Sequence, residues 1–469
     1  GKDHDLKKLS NARCQVCHAV QFKSFAHGHP PFGDYPFTKR TQIVFDHERH
    51  LNLHFKEKAD TAPTSCLDCH TMDERGELMM VKGFEQSCAR CHANDFSGFD
   101  AKAPAIAFLR IPLMDIEGFE EGELKVGEWP DDWDSLGTTL TPFTEFLLQD
   151  KFDHRHAVHR MADKDLDIIA EEDWQAGYNL AWGIKELMYD LSEKGMPEIE
   201  RRIAAALERP LTTAEKTSLT QTIAPDIFKT TARHWFPKLT DEVTQHLAGE
   251  SPAAAFMDLD GMEERLSIEA VALGGNWIRS DTDLTIYYRP SHHADPFMKI
   301  WLSLAAKGAG GSGTNSIARL SRHLSGNSLQ VAPGRCMKCH TPDREDEINW
   351  TGLRPAHTRH SFSHFSHRAH FSLLDERGCV TCHRIEYQTP EKPYLGSFAY
   401  HREEDASGFI SNFKSIEQAT CAACHTKSMA GESCLTCHNY HIGIFQTTQL
   451  KSGTFEHIQA TAEPAPKAQ

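Results

Sequence analysis

The feature that most constrains this chain is a five-residue motif, Cys-x-x-Cys-His, which occurs seven times in 469 residues. All 14 cysteines belong to these motifs, so none is left over. At this composition, a cysteine is followed by Cys at +3 and His at +4 by chance in roughly 0.2% of cases. Seven occurrences are therefore a functional signature. The motifs are Cys14/Cys17/His18, Cys66/Cys69/His70, Cys88/Cys91/His92, Cys336/Cys339/His340, Cys379/Cys382/His383, Cys421/Cys424/His425 and Cys434/Cys437/His438.

The motif is the attachment signature of c-type haem. Two thiols three residues apart on one helical turn reach the two vinyl groups on one edge of a porphyrin. The adjacent histidine then points its neutral imidazole at the iron from the same side. We therefore expect seven covalently bound haem c groups, held by the 14 cysteines, with the seven motif histidines as proximal iron ligands.

Zinc sites and disulfides are the rival interpretations. Zinc would need two Cys-x-x-Cys pairs for each ion, and it gives no reason for a histidine after every pair. A disulfide scaffold does not require the same spacing seven times. Both explain the pattern much less well than haem does.

Composition and charge fit this interpretation. Only 39% of the residues are apolar, which is low for a chain of this length, and seven porphyrins would add apolar surface. The formal net charge is −16, and each ferric haem with two ionised propionates adds about −1. Such acidity disfavours nucleic acid and anionic lipid, and it suits cationic protein partners, metal ions or simple solubility. The sequence contains no apolar stretch of about 18 residues, so it predicts no transmembrane segment.

The expected location is outside the cytoplasm, where haem of this type is attached. The sequence begins at Gly1 without Met, which is typical of a mature product that has lost a signal peptide. We expect a periplasmic or extracellular (cell-surface) protein.

The motifs are unevenly distributed, because 243 residues separate His92 from Cys336. We predict a mainly α fold with much irregular structure organised around haems, in which two haem-bearing regions flank an α-rich, haem-free insert with a small β-hairpin. The predicted regions are 1–100 (three haems), 101–325 (the insert), 326–445 (four haems) and 446–469 (a tail with a disordered end).

Hydrophobic periodicity and capping residues predict the elements of the insert. The Gly-rich 308–313 is expected to be a turn or hinge, since it lacks the Lys-Ser/Thr pair of a phosphate-binding loop. We expect a scaffold here and predict no catalytic residue. The predicted elements are a helix over 171–194 stopped by Gly195, a helix from Pro197, a helix capped at Thr212 or Thr213, a hairpin over 276–289, and a helix from Asp295 to Lys307.

The sixth iron ligand decides between an electron carrier and a catalyst, because a haem with histidine on both faces is closed to substrate. The chain has 29 histidines, of which 22 lie outside the motifs. Two Phe-x-His-x-x-His segments precede the motifs of Cys66 and Cys379, and a related segment follows Phe152. We take as distal candidates His47, His50, His154, His159, His367, His370 and His441. We assign as surface or structural the histidines that lack this pattern, which are His4, His234, His246, His292, His293, His323 and His457.

In these motifs the chain resembles the large multihaem c-type cytochromes, including the tetrahaem class III proteins and the decahaem outer-membrane conduits. The resemblance covers roughly residues 1–100 and 330–445. It implies that the additional histidines are distal ligands and that closely packed haems form a wire. The long insert departs from the compact members of the family. The Cys-x-x-Cys-Lys motif of the multihaem nitrite reductases is absent from the sequence.

Three functions follow as hypotheses. The first is electron transfer between redox partners through haems that are mostly bis-histidine and low-spin. The second is a multihaem reductase with one open haem, acting on a nitrogen or sulfur oxyanion. The third is a homo-oligomer in which the chain is a subunit of a conductive filament.

Overall fold

The computed structural model describes residues 10–16, 18, 23–30, 32, 43–95, 105–114, 116–130, 140–149, 170–224, 226–252, 271–308, 316–325, 332–342, 347–352, 363–372, 378–387 and 412–438. Helices form about half of this part of the chain, and the rest is two small antiparallel sheets and irregular structure. The expectation of a mainly helical chain with much irregular structure is confirmed.

The helices are short near the motifs and longer in the insert. The α-helices are Asn11–Gln15, His47–Arg49, Phe55–Glu57, Phe84–Ser87, Ala89–His92, Ile116–Glu121, Pro142–Leu148, Glu171–Lys194, Met196–Ala206, Thr213–Thr220, Asp226–Trp235, Leu239–Leu247, Pro296–Gly308, Ser316–Ser325, Ala332–Cys339, His367–Phe371 and Gln418–Ala422. A π-helical turn, His50–His54, continues the helix that starts at His47. The 3-10 turns are Cys66–Asp68, Ala93–Asp95, Gly378–Thr381 and Cys434–Thr436.

Two antiparallel sheets lie in different regions. The smaller pairs β1 (His70–Met72) with β2 (Met79–Val81), directly after the Cys66 motif. The larger has the order β3-β6-β5-β4 and lies in the insert. Its strands are β3 (Ile106–Arg110), β4 (Val271–Gly274), β5 (Trp277–Ser280) and β6 (Thr285–Tyr288).

The predicted hairpin is confirmed, but it is the centre of the larger sheet rather than an isolated pair. Strands β5 and β6 pair in register, and β3 and β4 add one strand to each side. An isolated hairpin is marginally stable in water. The added strands, together with the helices packed on the sheet, explain why this one is stable.

The predicted helices of the insert are also confirmed. The long helix runs from Glu171 to Lys194 and ends at Gly195, whose φ of +58° an L side chain rarely adopts. The next helix, Met196–Ala206, has a proline in its first turn. Thr212 and Glu215 form the capping box of the helix Thr213–Thr220. Local sequence signals were sufficient for these helices.

The hydrophobic core belongs to the insert. Nearly all of the buried apolar side chains lie between residues 106 and 324. The ring of Phe108 is fully buried, and its centre lies 4.9 Å from that of Phe143, 5.2 Å from that of Trp277 and 5.9 Å from those of Phe297 and Trp301. Such edge-to-face aromatic contacts add to the stabilisation from burial.

This core also supports the first motif of the C-terminal region. Cys336, Met337 and Trp350 pack against it. The Trp350 indole N–H donates a hydrogen bond to the Ser303 hydroxyl at 3.1 Å, and its ring lies 5.0 Å from the ring of His340. The insert therefore positions the motif of Cys336. No helix among the described residues is both long and apolar enough to cross a membrane.

Candidate haem-binding sites

Each described motif forms about one helical turn. In six motifs the backbone N–H of the histidine donates a hydrogen bond to the carbonyl oxygen of the first cysteine at 2.8–3.1 Å. Residues three and four apart on such a turn share one face, so the thiols and the imidazole can act on one side. The donors are His18, His92, His340, His383, His425 and His438. We name each site after the first cysteine of its motif.

The thirteen described cysteines are all free thiols, and Cys17 lies outside the described residues. In the described ranges, no three His, Cys, Asp or Glu side chains converge in the way that a metal ion held by protein ligands alone would need.

The motif cysteines differ in their surroundings, although the sequence analysis assigns the same role to all 14. Cys91 and Cys424 are exposed, whereas a residue that holds a packed porphyrin is expected to lie inside the fold. The reason is local, because each is the second cysteine of a short turn at the surface. Sγ of Cys91 lies 3.7 Å from the exposed Thr61 hydroxyl, and the Cys424 carbonyl accepts hydrogen bonds from the N–H groups of Thr426 and Ala430. A porphyrin edge can reach an exposed thiol, and the exposure of Cys91 and Cys424 is therefore compatible with haem attachment. Their assignment stays a prediction.

Other motif cysteines lie deeper in the protein. Burial is the main reason that the pKa values of the Cys336 and Cys421 thiols are raised to about 11. These two are the first cysteines of their motifs, and Cys421 precedes the exposed Cys424. One thiol of a motif can therefore face the interior while the other lies at the surface. The remaining exposed cysteines are Cys66, Cys339 and Cys437.

Histidine rings face each other in five pairs. Each pair combines one motif histidine with one histidine from elsewhere, at 6.0–6.4 Å between ring centres. Four of the pairs are inclined by less than 30°, and the fifth by 46°. The pairs are His47–His70 (6.2 Å), His367–His383 (6.4 Å), His293–His340 (6.0 Å), His29–His438 (6.2 Å) and His370–His425 (6.1 Å).

This separation has a simple interpretation. Two rings in direct stacking contact lie closer together, as Trp182 and His246 do at 3.7 Å. Two imidazoles on opposite sides of one metal ion, each with a metal–nitrogen bond of about 2 Å, have ring centres roughly 6 Å apart. The five pairs therefore fit an iron atom held from both faces.

Hydrogen bonds on the other ring nitrogen support this orientation. Nδ1 of His340 lies 2.8 Å from the Asn349 carbonyl oxygen, and Nδ1 of His367 lies 2.8 Å from that of Glu77. A histidine that donates from Nδ1 keeps a lone pair on Nε2, and metal-bound histidines are oriented in this way. Nδ1 of His370 makes the same contact with the Ser366 carbonyl, at 2.7 Å.

Burial keeps several of these rings neutral. The pKa of His47 is lowered to about 4, chiefly by burial and then by the nearby His70 and His50. Burial is also the main reason that the pKa values of His70, His340 and His383 lie below the usual value. Neutral imidazole is the form that binds a metal ion.

The first Phe-x-His-x-x-His segment supplies two different sites. Asp46 caps the helix that begins at His47, and the ring of Phe45 stacks on His50 at 4.2 Å. His47 faces His70, as described above. His50 lies near enough to His92 for that ring to contribute to its lowered pKa, after burial and after His54. A spacing of three residues thus divides the two histidines between the Cys66 and Cys88 sites.

The second segment repeats this arrangement. The ring of Phe365 stacks on His370 at 4.7 Å and meets His367 edge-on at 4.9 Å. His367 faces the motif histidine of the Cys379 site, and His370 faces that of the Cys421 site. The structure therefore brings three of the seven distal candidates face to face with motif histidines, and it places a fourth, His50, near enough to His92 for that ring to affect the pKa of His50.

Two histidines that face motifs were not among the candidates. His293 precedes the helix Pro296–Gly308 of the insert, stacks on Phe84 at 3.8 Å and faces His340. The ring of His29 lies 5.0 Å from that of Phe25 and 6.0 Å from that of Phe32, and it faces His438. Neither His29 nor His293 lies in a complete Phe-x-His-x-x-His segment, so the pattern that selected the other candidates did not select them. The assignment of His293 to the surface or structural group is therefore at odds with its position.

The remaining candidates are not placed. His154, His159 and His441 lie outside the described residues. Within the described ranges, no ring faces His18 across a gap of this size. Two of the histidines assigned a surface or structural role contact other side chains. His234 lies 3.2 Å from an Asp281 carboxylate oxygen, and His246 stacks on Trp182.

The motif regions have almost no buried apolar core of their own, and they expose several large apolar side chains. In the described residues outside 106–324, Ile348 is the one apolar side chain that is buried. Of the ten described large apolar side chains that are strongly exposed, nine lie in the motif regions, and Val16, Leu67 and Val380 are inside motifs. Exposed apolar surface without a core of its own fits porphyrins that would cover it.

Comparison with known proteins adds no family. No family model matches the chain, no curated protein is significantly similar to it, and no solved structure matches its fold.

Proposed function

We propose that this chain is a seven-haem c-type cytochrome that transfers electrons between redox proteins outside the cytoplasm. The observation that carries the proposal is the set of five facing histidine pairs, each of which includes the histidine of a Cys-x-x-Cys-His motif. Each haem, when bound, supplies a reversible one-electron iron couple.

The residues of the chain have separate roles in this function. The paired cysteines would hold each porphyrin by two thioether bonds, so that it cannot dissociate. The facing histidines would occupy both axial positions of the iron and leave none for a substrate. Carbonyl groups that accept hydrogen bonds from Nδ1 orient the ligands and raise their basicity. Closed sites of this kind favour electron transfer over catalysis.

The net charge of −16 indicates the kind of partner. Opposite charge speeds the encounter of two proteins and makes the rate depend on salt. We therefore propose cationic redox proteins as donor and acceptor. Their rate of electron exchange with this protein should fall as ionic strength rises.

Intact mass and visible spectroscopy test the proposal on protein matured in a host that attaches haem c. The expected mass is that of the polypeptide plus seven haems, and the expected ferric spectrum is low-spin. A variant with Cys379→Ala and Cys382→Ala should carry six haems, and this loss controls for adventitious haem. Protein that matures without covalent haem, or with mostly high-spin iron, would overturn the proposal.

Carbon monoxide separates the carrier from the reductase. A carrier with every site closed should bind no CO when reduced. Binding by one haem in seven would favour the reductase, and the Cys14 site would be the first to test, since no described ring faces its His18. A His18→Ala variant would then change the CO-bound spectrum.

A further inference from the structure

The first Phe-x-His-x-x-His segment contacts three sites at once. Ile43 forms a β-bridge with His340, at the first of these sites. His47 then faces the motif histidine of the second site at 6.2 Å, and His50 lies near enough to that of the third, His92, for this ring to contribute to its lowered pKa. Residues 43–50 thus define one unit of three sites. In that order, the sites are those of Cys336, Cys66 and Cys88.

The same contacts recur 320 residues later in the chain. Ser363 forms a β-bridge with His438, and His367 and His370 face the motif histidines of two further sites. Residues 363–370 thus define a second unit with the same internal plan. In that order, its sites are those of Cys434, Cys379 and Cys421.

The middle site of the first unit is that of Cys88. His47 and His50 share one helix, so the Cys66 and Cys88 sites are neighbours. Phe84, four residues ahead of Cys88, stacks on the His293 that serves the Cys336 site. The Cys88 site therefore lies between the other two.

The middle site of the second unit is that of Cys421, by an equivalent argument. The helix His367–Phe371 carries both histidines and joins the Cys379 and Cys421 sites. The ring of Phe25 lies 6.4 Å from that of His425 and 5.0 Å from that of His29, which serves the Cys434 site. This ring therefore connects the Cys421 and Cys434 sites.

The two units meet at the sites of Cys66 and Cys379. The Cys379 thiol lies near enough to the Cys66 thiol to raise the pKa of Cys66, after burial. The ring of Phe413 lies 4.8 Å from that of His47 and 6.0 Å from that of His383, so it contacts one site of each unit.

Contacts across this boundary are reciprocal. The chain between β1 and β2 accepts hydrogen bonds from the second unit, because the Arg368 N–H donates to the Gly76 carbonyl at 3.2 Å. Asn412 of the second unit makes the equivalent contact, because its side-chain oxygen accepts a hydrogen bond from the His47 N–H at 2.9 Å. Each unit thus accepts a hydrogen bond from the histidine helix of the other. Reciprocal contacts of this kind are characteristic of a two-fold arrangement.

The seventh site continues from the second unit. The Cys14 thiol lies near enough to the Cys434 thiol to raise the pKa of Cys434, after burial. The Asn11 side chain accepts from the Cys434 N–H at 2.9 Å and donates to the Glu432 carbonyl at 2.9 Å. The Cys14 site is therefore a neighbour of the Cys434 site.

We propose that the seven sites form one unbranched series in which the two units join between the Cys66 and Cys379 sites. Electrons enter and leave at the two ends, which are the Cys336 site beside the insert and the Cys14 site. This inference rests on the proposed function. The order along the series is Cys336, Cys88, Cys66, Cys379, Cys421, Cys434 and Cys14.

A reporter at one site tests this order in the intact seven-haem protein. His367→Met would give the Cys379 site a ligand pair that raises its potential and changes its spectrum. In this background, Cys66→Ala with Cys69→Ala removes a proposed neighbour and should shift the midpoint potential of the reporter. Cys336→Ala with Cys339→Ala removes the haem whose motif immediately precedes that of Cys379 in the sequence, and it should leave the reporter unshifted.

The opposite pattern, with a shift only in the second case, would overturn the order. If either deletion prevents maturation, His47→Met and His293→Met replace it, since they change the same two sites and keep all seven haems. Iron positions in an experimental structure of the loaded protein give an independent check. Loss of seven-haem binding would refute the proposed function, whereas seven low-spin haems in another order would refute this inference alone.

Discussion

The ring centre of His293 lies 6.0 Å from that of His340, and the two rings are inclined by 28°. His293 belongs to the haem-free insert, and His340 belongs to the C-terminal motif region. The insert therefore has two relationships to the Cys336 site, because it packs beneath the motif and also presents a histidine to it. The insert therefore contributes to the Cys336 site, which is one end of the proposed series.

His293→Ala should open the Cys336 site. With only His340 left, the iron would become five-coordinate or water-bound, so the reduced protein should bind CO at one haem in seven. The matched control is His292→Ala, because His292 is exposed and its Nδ1 faces the Ser291 hydroxyl at 2.8 Å. Ferric spectra and CO titration measure the difference. Equal CO binding by both variants would remove His293 as a ligand.

His47→Ala and His50→Ala should open two different sites. Because we propose His47 as a ligand at the Cys66 site and His50 as a ligand at the Cys88 site, CO should bind one haem in each single variant and two in the double variant. His54→Ala is the control, since this histidine lies on the same helix and faces Glu57 at 3.6 Å. A double variant that binds only one CO would mean that the two histidines act on one haem.

Sequence patterns were sufficient wherever the determining contacts are local. The helix Glu171–Lys194 follows from its apolar period and from Gly195. The histidines after Phe45 and Phe365 follow from a six-residue pattern. Strand β3 was not predicted, because its partner β6 lies 175 residues further along the chain, from Arg110 to Thr285.

The ligand set and the order of the sites could not be predicted for the same reason. His29 and His293 reach their partners through tertiary packing on Phe25 and Phe84, and no residue near them in sequence indicates it. The junction depends on contacts such as that between Gly76 and Arg368, which lie in different motif regions. Sequence proximity would instead place the Cys336 site beside that of Cys379.

Lys185 should be essential to the stability of the insert. It is fully buried, and its Nζ lies 2.6 Å from a Glu242 carboxylate oxygen and 2.5 Å from the Val126 carbonyl oxygen. Lys185→Met would leave a buried carboxylate without its cation, which costs about 3–5 kcal/mol of unfolding free energy. Adding Glu242→Leu should recover part of the loss. Denaturant unfolding measures both.

An exposed ion pair provides the control for Lys185. Lys194 lies 2.7 Å from Asp190 and is 55% exposed, so Lys194→Met should cost less than about 1 kcal/mol. A double variant Lys185→Met/Glu242→Leu that is less stable than Lys185→Met alone would contradict the argument from the unpaired charge.

Glu215 should make stability depend on pH below neutrality. Its pKa is lowered to about 2, chiefly by hydrogen bonds from the Arg209 guanidinium, against about 4.3 in an unfolded chain. A carboxyl pKa that is lowered by folding gives stability that is complete above about pH 4.3 and is lost as the pH falls towards 2. Glu215→Gln should therefore reduce Tm near pH 7, and its difference from wild type should shrink on acidification.

Comparing the Tm of Glu215→Gln with that of wild type at each pH cancels the contributions of the titratable groups that both proteins share. Glu208→Gln is the control, because Glu208 is exposed and lies close in sequence. A difference in Tm that stays constant from pH 7 to pH 2 would show that Glu215 acts through its cap on the helix and not through its charge.

Gly76→Ala should strain the junction between the two units. Gly76 has a φ of +73°, and a Cβ there would lie 2.7 Å from the Arg368 Cβ. Gly431 has a φ of +82° with open space around it. Both alanine variants lose about 1 kcal/mol to backbone strain, but only Gly76→Ala also pushes the two units apart. Its Tm should therefore fall further.

The same pair of variants reports on the contact between sites. Because Arg368 lies on the helix of His367, movement at Gly76 should change the spectrum or midpoint potential of the Cys379 site, whereas Gly431→Ala should leave that site unchanged. Equal Tm losses together with an unchanged Cys379 site would mean that the loop between β1 and β2 yields freely. The contacts at Gly76 would then not fix the relative position of the two units. The junction would depend on the contacts of Asn412 and Phe413.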